Sequence, residues 1–183
     1  MAILKNVANI LSGSRIAISF LLLVFQAMSV PFLILYACCG FTDILDGAIA
    51  RKTHTESELG ATLDSIADLV MVVVVLVKLI PVIFWQIPVW CFVMIFVIAL
   101  IRILSYLIGK EKFHCFASLH TILNKSTGVV LFLFPFYMLL IDIRIASGIA
   151  CVIALCSAIE ELFCEIKMKE YNPNVKSILE LIR

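Results

Sequence analysis

Long apolar runs separated by short polar or proline-marked breaks fill nearly the whole chain. Crossing the hydrocarbon core of a bilayer takes about 20 residues of α-helix, and six of the runs are of roughly that length. The predicted spans cover residues 15–30, 31–51, 59–80, 87–108, 121–140 and 143–163. The pattern therefore predicts an all-α, polytopic membrane protein with six transmembrane helices.

The residues before the first span have a different pattern. Residues 2–11 interleave apolar positions with Lys5, Asn6 and Asn9 at roughly helical spacing. This spacing predicts either a short N-terminal helix lying in the membrane interface or an extension of the first transmembrane helix. We expect the first span to be retained, because it lacks the cleavage site of a signal peptide. No repeat or second domain is visible, so residues 1–183 are expected to form a single membrane domain.

Composition supports a bilayer environment. Hydrophobic residues make up 63% of the chain and charged residues 15%, and the mean hydropathy is +1.15. These values lie far from those of soluble domains, which are about half apolar. The net charge of +1 includes no basic patch, so nucleic acid is not expected as a partner. The seven cysteines form no metal-binding pairs and are expected to pack as small apolar residues.

The cationic residues sort by side of the predicted membrane. Only Lys78 and Arg144 approach one side. The opposite side carries Lys5, Arg15, Arg51, Lys52, Arg102, Lys110, Lys112, Lys125, Lys167, Lys169 and Lys176. Cytoplasmic loops carry an excess of Lys and Arg, so both termini are expected on the cytoplasmic side.

Four aspartates lie within 26 residues, near the cytoplasmic ends of two adjacent predicted helices. Asp43 and Asp46 are three residues apart, and Asp64 and Asp68 are four apart, so each pair shares one helix face. The polar link at 52–58 allows the two helices to run antiparallel, and we expect the pairs to meet in an oxygen-rich site. Mg²⁺ and Mn²⁺ prefer such oxygen ligands. The alternative, solvated carboxylates at helix ends, is disfavoured by their apolar neighbours.

Small and cationic residues surround the aspartates at fixed spacing. The stretch reads Asp43-x-x-Asp46-Gly47-x-x-Ala50-Arg51, then eight residues, then Gly60-x-x-x-Asp64-x-x-x-Asp68. Small residues allow a phosphate or nucleotide to approach a helix backbone, and Arg51 supplies a cation for phosphate. Every position and both gaps match the signature of the CDP-alcohol phosphatidyltransferases, and this chain resembles that family.

The resemblance implies a reaction, a cofactor and site residues. The enzyme would move a phosphatidyl group from CDP-diacylglycerol to the hydroxyl of a small polar alcohol and release CMP. Asp43, Asp46 and Asp64 would be the main ligands of two divalent ions, Mg²⁺ or Mn²⁺. Asp68 would lie near the metals and act as the general base. The nucleotide would contact Gly47, Ala50, Arg51 and Gly60. A homodimer in a bacterial or archaeal-type membrane, with the active site on the cytoplasmic side, is also expected.

A shorter match lies near the N-terminus. The family resembles this chain in an Asn, a hydroxyl residue and an Arg, which here are Asn9, Ser12 and Arg15. These residues would touch the nucleotide or its phosphates. The alternative is that they are polar residues at the membrane interface.

The acceptor alcohol should bind near the cytoplasmic ends of the fourth and fifth spans, where basic residues cluster. Arg102, His120 and Lys125 are the candidates. Lys125, which we expect to be buried further along an apolar helix, is the first choice for an acceptor phosphate. Each could instead be a positive-inside anchor of the membrane.

Two local motifs bear on the identity of the acceptor. Phosphatidylglycerophosphate synthases carry Arg-Glu on the fourth helix and Lys-Thr-x-x-Gln on the fifth. Here Ile103 follows Arg102, and residues 120–124 read His-Thr-Ile-Leu-Asn. Residues 63–68, Leu-Asp-Ser-Ile-Ala-Asp, resemble phosphatidylserine synthases. Glycerol 3-phosphate is the first candidate acceptor, and serine, inositol and inositol phosphate are the alternatives.

Three other classes of protein could share parts of this pattern. An ion transporter would also carry carboxylates within membrane helices, but no inverted repeat is visible and the aspartates lie near one interface rather than the midplane. A structural scaffold would not explain the aspartate spacing. A catalytically silent relative of the family remains an alternative.

Overall fold

The computed structural model describes the backbone of residues 2–53, 58–114, 119, 121–168, 170–172 and 175–182, and side chains within 10–43, 62–114, 119, 121–168, 170–172 and 175–181. Its regular elements there are all helices. They are α1 (Ala2–Leu22), α2 (Val30–Thr53), α3 (Glu58–Ile83), α4 (Val89–Phe113), α5 (Ile122–Tyr137), α6 (Ile143–Lys167) and the short α7 (Leu179–Ile182). Helices α2 to α6 lie at the second to sixth predicted spans, whereas α1 overlaps the first predicted span only over residues 15–22. The all-α prediction is confirmed.

Two helix segments of the described chain, Thr62–Ile83 and Val89–Phe113, are long and apolar enough to cross a membrane. Only 17% and 11% of their most apolar stretches are buried, so both expose apolar side chains over most of their surface. A core helix of a soluble protein would bury such a surface. Shorter apolar helices cover Ile10–Leu22, Val30–Asp43 and Ile122–Tyr137. These features are compatible with a polytopic membrane protein.

The N-terminal region is one continuous helix, not a short interfacial helix followed by a separate span. No break occurs near residue 12, since α1 runs without interruption from Ala2 to Leu22. The helix also ends earlier than expected, at Leu22. There the carbonyl of Leu23 accepts a hydrogen bond from Lys78 Nζ at 3.0 Å. The helix-extension alternative therefore describes residues 2–11.

The chain divides into two compact units, Met1–Trp85 and Gln86–Arg183, which are described separately. In the N-terminal unit, α1 packs against both α2 and α3. Its buried face repeats at helical spacing through Ser12, Arg15, Ser19 and Leu22. This buried face of α1 is mostly polar. It places the guanidinium of Arg15 among the three helices.

Helix α2 contributes its own buried face to this unit. Phe32, Tyr36 and Cys39 are buried along it, and Asp43 continues the same spacing one turn further on. The helix starts where Ser29 Oγ accepts a hydrogen bond from the backbone N–H of Phe32, the usual arrangement of an N-terminal cap. The spacing therefore places Asp43 on the same face of α2 as these buried residues.

In the C-terminal unit, α6 packs against both α4 and α5. Each of α5 and α6 begins at a side-chain cap, Thr121 Oγ1 accepting from the N–H of Asn124 and Asp142 Oδ1 from that of Arg144. The six described cysteines of the whole chain are free; four of them are buried, and Cys38 and Cys156 are exposed.

The described residues of the C-terminal segment (168, 170–172 and 175–182) fold back onto this unit. Met168 and Val175 form a buried cluster with Leu119 and Cys164. The carbonyl of Lys176 accepts a hydrogen bond from the N–H of Ile122 at 2.9 Å. Since the first N–H groups of a helix have no partner inside it, this contact supplies one for α5.

Candidate active site

Three of the four predicted aspartates converge in the N-terminal unit. Asp43 comes from α2, and Asp64 and Asp68 come from successive turns of α3. One carboxylate oxygen from each lies within 4.8 Å of the other two. The structure thus brings three of the four aspartates into the oxygen-rich cluster that we expected between these two helices.

A single arginine from α1 holds this cluster together. Nη1 of Arg15 lies 3.1 Å from Oδ1 of Asp43 and 3.1 Å from Oδ1 of Asp64. The same nitrogen donates a hydrogen bond to Oδ1 of Asp68. Carboxylates this close repel one another, and the guanidinium offsets that repulsion. Arg15 therefore contacts the aspartates, a role that its predicted contact with the nucleotide did not include.

The cluster is closed on the arginine side and open on the other. The side chain of Arg15 is fully buried, whereas those of Asp43, Asp64 and Asp68 are 48%, 42% and 52% exposed. A ligand can therefore approach the carboxylates from the side away from α1. Convergent carboxylate oxygens that remain accessible fit a hard divalent ion such as Mg²⁺ or Mn²⁺.

Several predicted site residues lie outside the described part of the chain. This applies to the side chains of Asn9, Asp46, Gly47, Ala50, Arg51 and Gly60, and to the whole of His120. Ser12 is described, and it is buried on the same face of α1 as Arg15, three residues before it. Its contact with a nucleotide stays a prediction, as do those of the other residues.

Arg102 lies in a polar network within the C-terminal unit. Its Nη1 donates to Oε2 of Glu161, and its Nη2 donates to Oδ1 of Asn124 at 3.0 Å and Oγ of Ser157 at 3.2 Å. The arginine side chain remains 32% exposed, so it is fixed by α5 and α6 without being sealed off. A cation oriented in this way can still offer donors to a ligand.

The other described acceptor candidate differs from its expected environment. Lys125 was expected inside an apolar helix, but it is exposed on α5. It lines a shallow depression of about 340 Å³ with Ile122, Ser126, Val129 and Val130. Successive side chains of a helix point about 100° apart. Asn124 contacts Arg102, so Lys125, the next residue of α5, points in a different direction.

The sequence reasoning missed the acidic residues of α6. Glu161 is buried, and besides Arg102 it accepts a hydrogen bond from the N–H of Leu119. Glu165 is also buried and accepts from Ser105 at 2.6 Å. The sequence did contain a signal for these contacts: carboxylates at an apolar span need partners within the protein. The arginine in the fourth span was the natural partner to consider.

Comparison with known proteins agrees with this geometry. The profile of the CDP-alcohol phosphatidyltransferase family matches residues 5–159, which include most of α1, all of α2 to α5, most of α6 and all four aspartates. No curated protein and no solved structure matches the chain. The family and the apolar helices together indicate an integral membrane protein. The chain belongs to the CDP-alcohol phosphatidyltransferase family, whose enzymes transfer substituted phosphate groups from a CDP-alcohol to an alcohol.

Proposed function

We propose that this enzyme transfers the phosphatidyl group of CDP-diacylglycerol to the hydroxyl of a small polar alcohol and releases CMP. The observation that carries the proposal is the convergence of Asp43, Asp64 and Asp68, whose oxygens lie within 4.8 Å of one another on an accessible side of the N-terminal unit. Such a cluster suits the binding of hard divalent cations beside a pyrophosphate.

The same three aspartates, with Asp46, would hold two divalent ions, Mg²⁺ or Mn²⁺. When bound, these ions would neutralise the charge of the pyrophosphate and polarise its phosphorus–oxygen bonds. Asn9, Ser12, Arg15, Gly47, Ala50, Arg51 and Gly60 would bind the CDP portion of the donor.

Asp68 would be the general base of the reaction. It takes the proton of the acceptor hydroxyl, and the alcohol oxygen forms a bond to the phosphorus that carries the diacylglycerol. The bond from that phosphorus to the CMP oxygen breaks, and CMP leaves with the electron pair. Half of the Asp68 side chain is exposed, as a base that must meet an incoming substrate requires.

Arg102, His120 and Lys125 would bind the acceptor, and glycerol 3-phosphate is the acceptor we propose first. Arg102 supports this assignment, since it is oriented by Glu161 and Asn124 and keeps an exposed portion. Serine, inositol and inositol phosphate are the alternatives. We further propose that the enzyme is a homodimer, with its active site and both termini on the cytoplasmic side.

CMP release in detergent tests the proposal. Purified enzyme is given CDP-diacylglycerol, Mg²⁺ or Mn²⁺, and one candidate acceptor at a time. Loss of a general base typically costs about 10²- to 10⁴-fold in rate, and we expect a loss of that order in Asp68→Asn. Asp142→Asn is the matched control, because Asp142 caps α6 and Asn is an equally good cap.

The outcomes separate the parts of the proposal. Release with one acceptor, lost in Asp68→Asn and retained in Asp142→Asn, would support the reaction and identify the alcohol. Equal activity of Asp68→Asn and Asp142→Asn would refute the role of Asp68. Absence of CMP release with all four acceptors would refute the proposed acceptor class.

A further inference from the structure

Arg15 already contacts carboxylate oxygens that a cation bound to the aspartates would also use. One nitrogen, Nη1, serves Oδ1 of all three carboxylates, two of them at 3.1 Å. A guanidinium is permanently charged, so it cannot avoid a second cation by losing its proton. Two cations sharing the same three oxygens would repel each other strongly in this partly buried setting.

The net charge of the cluster still favours the binding of a divalent cation in place of Arg15. Three ionised carboxylates and one guanidinium carry a combined charge of −2. The cluster therefore still attracts a divalent cation, although Arg15 already occupies one oxygen of each aspartate. Arg15 is also fully buried, and a buried charge is tolerated only with such partners.

We propose that Arg15 is the internal counter-ion of the metal-free site, and that it must leave the carboxylates of Asp43, Asp64 and Asp68 before divalent ions bind them. Its guanidinium keeps the three helices together in the absence of metal and lowers the affinity for metal by competing for the same oxygens. Arg15 is thus a positioning residue for the three carboxylates.

The exchange gives Arg15 a second partner during the reaction. A buried guanidinium that leaves its carboxylates needs another anion. The pyrophosphate of the donor is the anion that the proposed function brings to this place, and guanidinium and phosphate oxygens match well. This part of the inference rests on the proposed function, and it explains how one residue can serve the aspartates and the nucleotide in turn.

Titration of Mn²⁺ by electron paramagnetic resonance tests the competition without any turnover. Wild-type enzyme is compared with Arg15→Gln, which keeps donors but removes the charge. Loss of a charge in contact with the ligands should make Mn²⁺ binding at least about tenfold tighter in Arg15→Gln. Lys78→Gln is the control, because it also removes one positive charge from the N-terminal unit. The amine of Lys78 contacts the carbonyl of Leu23, so this change should leave the Mn²⁺ affinity unaltered.

Thermal unfolding provides a second measurement. Metal-free Arg15→Gln should melt at a lower temperature than metal-free wild type, and Mn²⁺ should raise its melting temperature by more. The variant is purified with Mn²⁺, which is then removed by chelation. A variant that unfolds on chelation and refolds with Mn²⁺ supports the proposal equally. Arg15→Lys keeps the charge with a smaller head group and should give an intermediate Mn²⁺ affinity.

Two results would overturn the inference in distinguishable ways. If Arg15→Gln binds Mn²⁺ with the same or lower affinity than wild type, Arg15 supports the metal site and does not compete with it, while the proposed function stands. If neither protein binds Mn²⁺, the proposed metal site fails and the competition fails with it.

Discussion

The ion pair between Arg102 and Glu161 offers a direct test of how the C-terminal unit is held together. Glu161→Gln keeps the size of the side chain and an acceptor for Arg102, but it removes the negative charge. Arg102 would retain its hydrogen bonds to Asn124 and Ser157. The expected loss is therefore mainly electrostatic, with a smaller part from the bond that Glu161 accepts from the N–H of Leu119.

The size of this loss follows from the burial of the two partners. Two unit charges about 4 Å apart attract by about 4 kcal/mol at an effective dielectric constant of about 20. Desolvation offsets part of this attraction, and the offset is incomplete for Arg102 because 32% of its side chain is exposed, against 9% for Glu161. We expect Glu161→Gln to lower the free energy of unfolding by about 2 kcal/mol, or the Tm by about 4–8 °C in a chain of this size.

A double-mutant cycle in detergent micelles measures the pair itself. Arg102→Met should cost about 3 kcal/mol, since it leaves the buried Glu161 charge without its partner. The double variant should lose less than the two single variants together, by about 1.5–2 kcal/mol. Glu111→Gln makes the same chemical change at an exposed position and should have little effect. Additive losses in the double variant would refute the reasoning.

Two further predictions concern packing and the C-terminal segment. A Cβ at Gly148 would lie 3.1 Å from Cη2 of Trp90, whereas one at Gly128 would meet nothing within 4 Å. Gly128→Ala should therefore be more stable than Gly148→Ala by about 1 kcal/mol in thermal unfolding, and equal stability would contradict the packing seen at Trp90. Ser177 donates to the buried Glu160 at 2.9 Å, so Ser177→Ala should cost about 1–2 kcal/mol and speed hydrogen exchange in the C-terminal segment. Unchanged exchange there would show that this contact does not hold the segment.

The positions of the helices and the aspartate cluster could be predicted from the sequence. Apolar runs of membrane-spanning length leave few alternatives to helices, because backbone groups in lipid need partners within the same segment. Asp64 and Asp68 share a face whatever the surroundings, since their spacing of four is fixed by the helix. Asp43 could be placed opposite them because the link between α2 and α3 is short.

The rotation of each helix about its own axis could not be predicted in the same way. Helices that are apolar on most sides give little indication of which side faces a neighbour. Lys125 was expected to be buried on this account, and the structure exposes it. The pairing of Arg102 with Glu161 and of Arg15 with Asp68 joins residues 59 and 53 positions apart. Such contacts depend on tertiary packing, which local spacing does not contain.

The burial of Arg15 also constrains the order in which the protein can enter a membrane. During synthesis this residue leaves the ribosome 49 residues ahead of Asp64 and 53 ahead of Asp68. An arginine in a membrane helix makes insertion less favourable as long as it has no partner. We therefore expect α1 to complete its insertion only after α3 has been made, so that the insertion machinery handles the first three helices as a group.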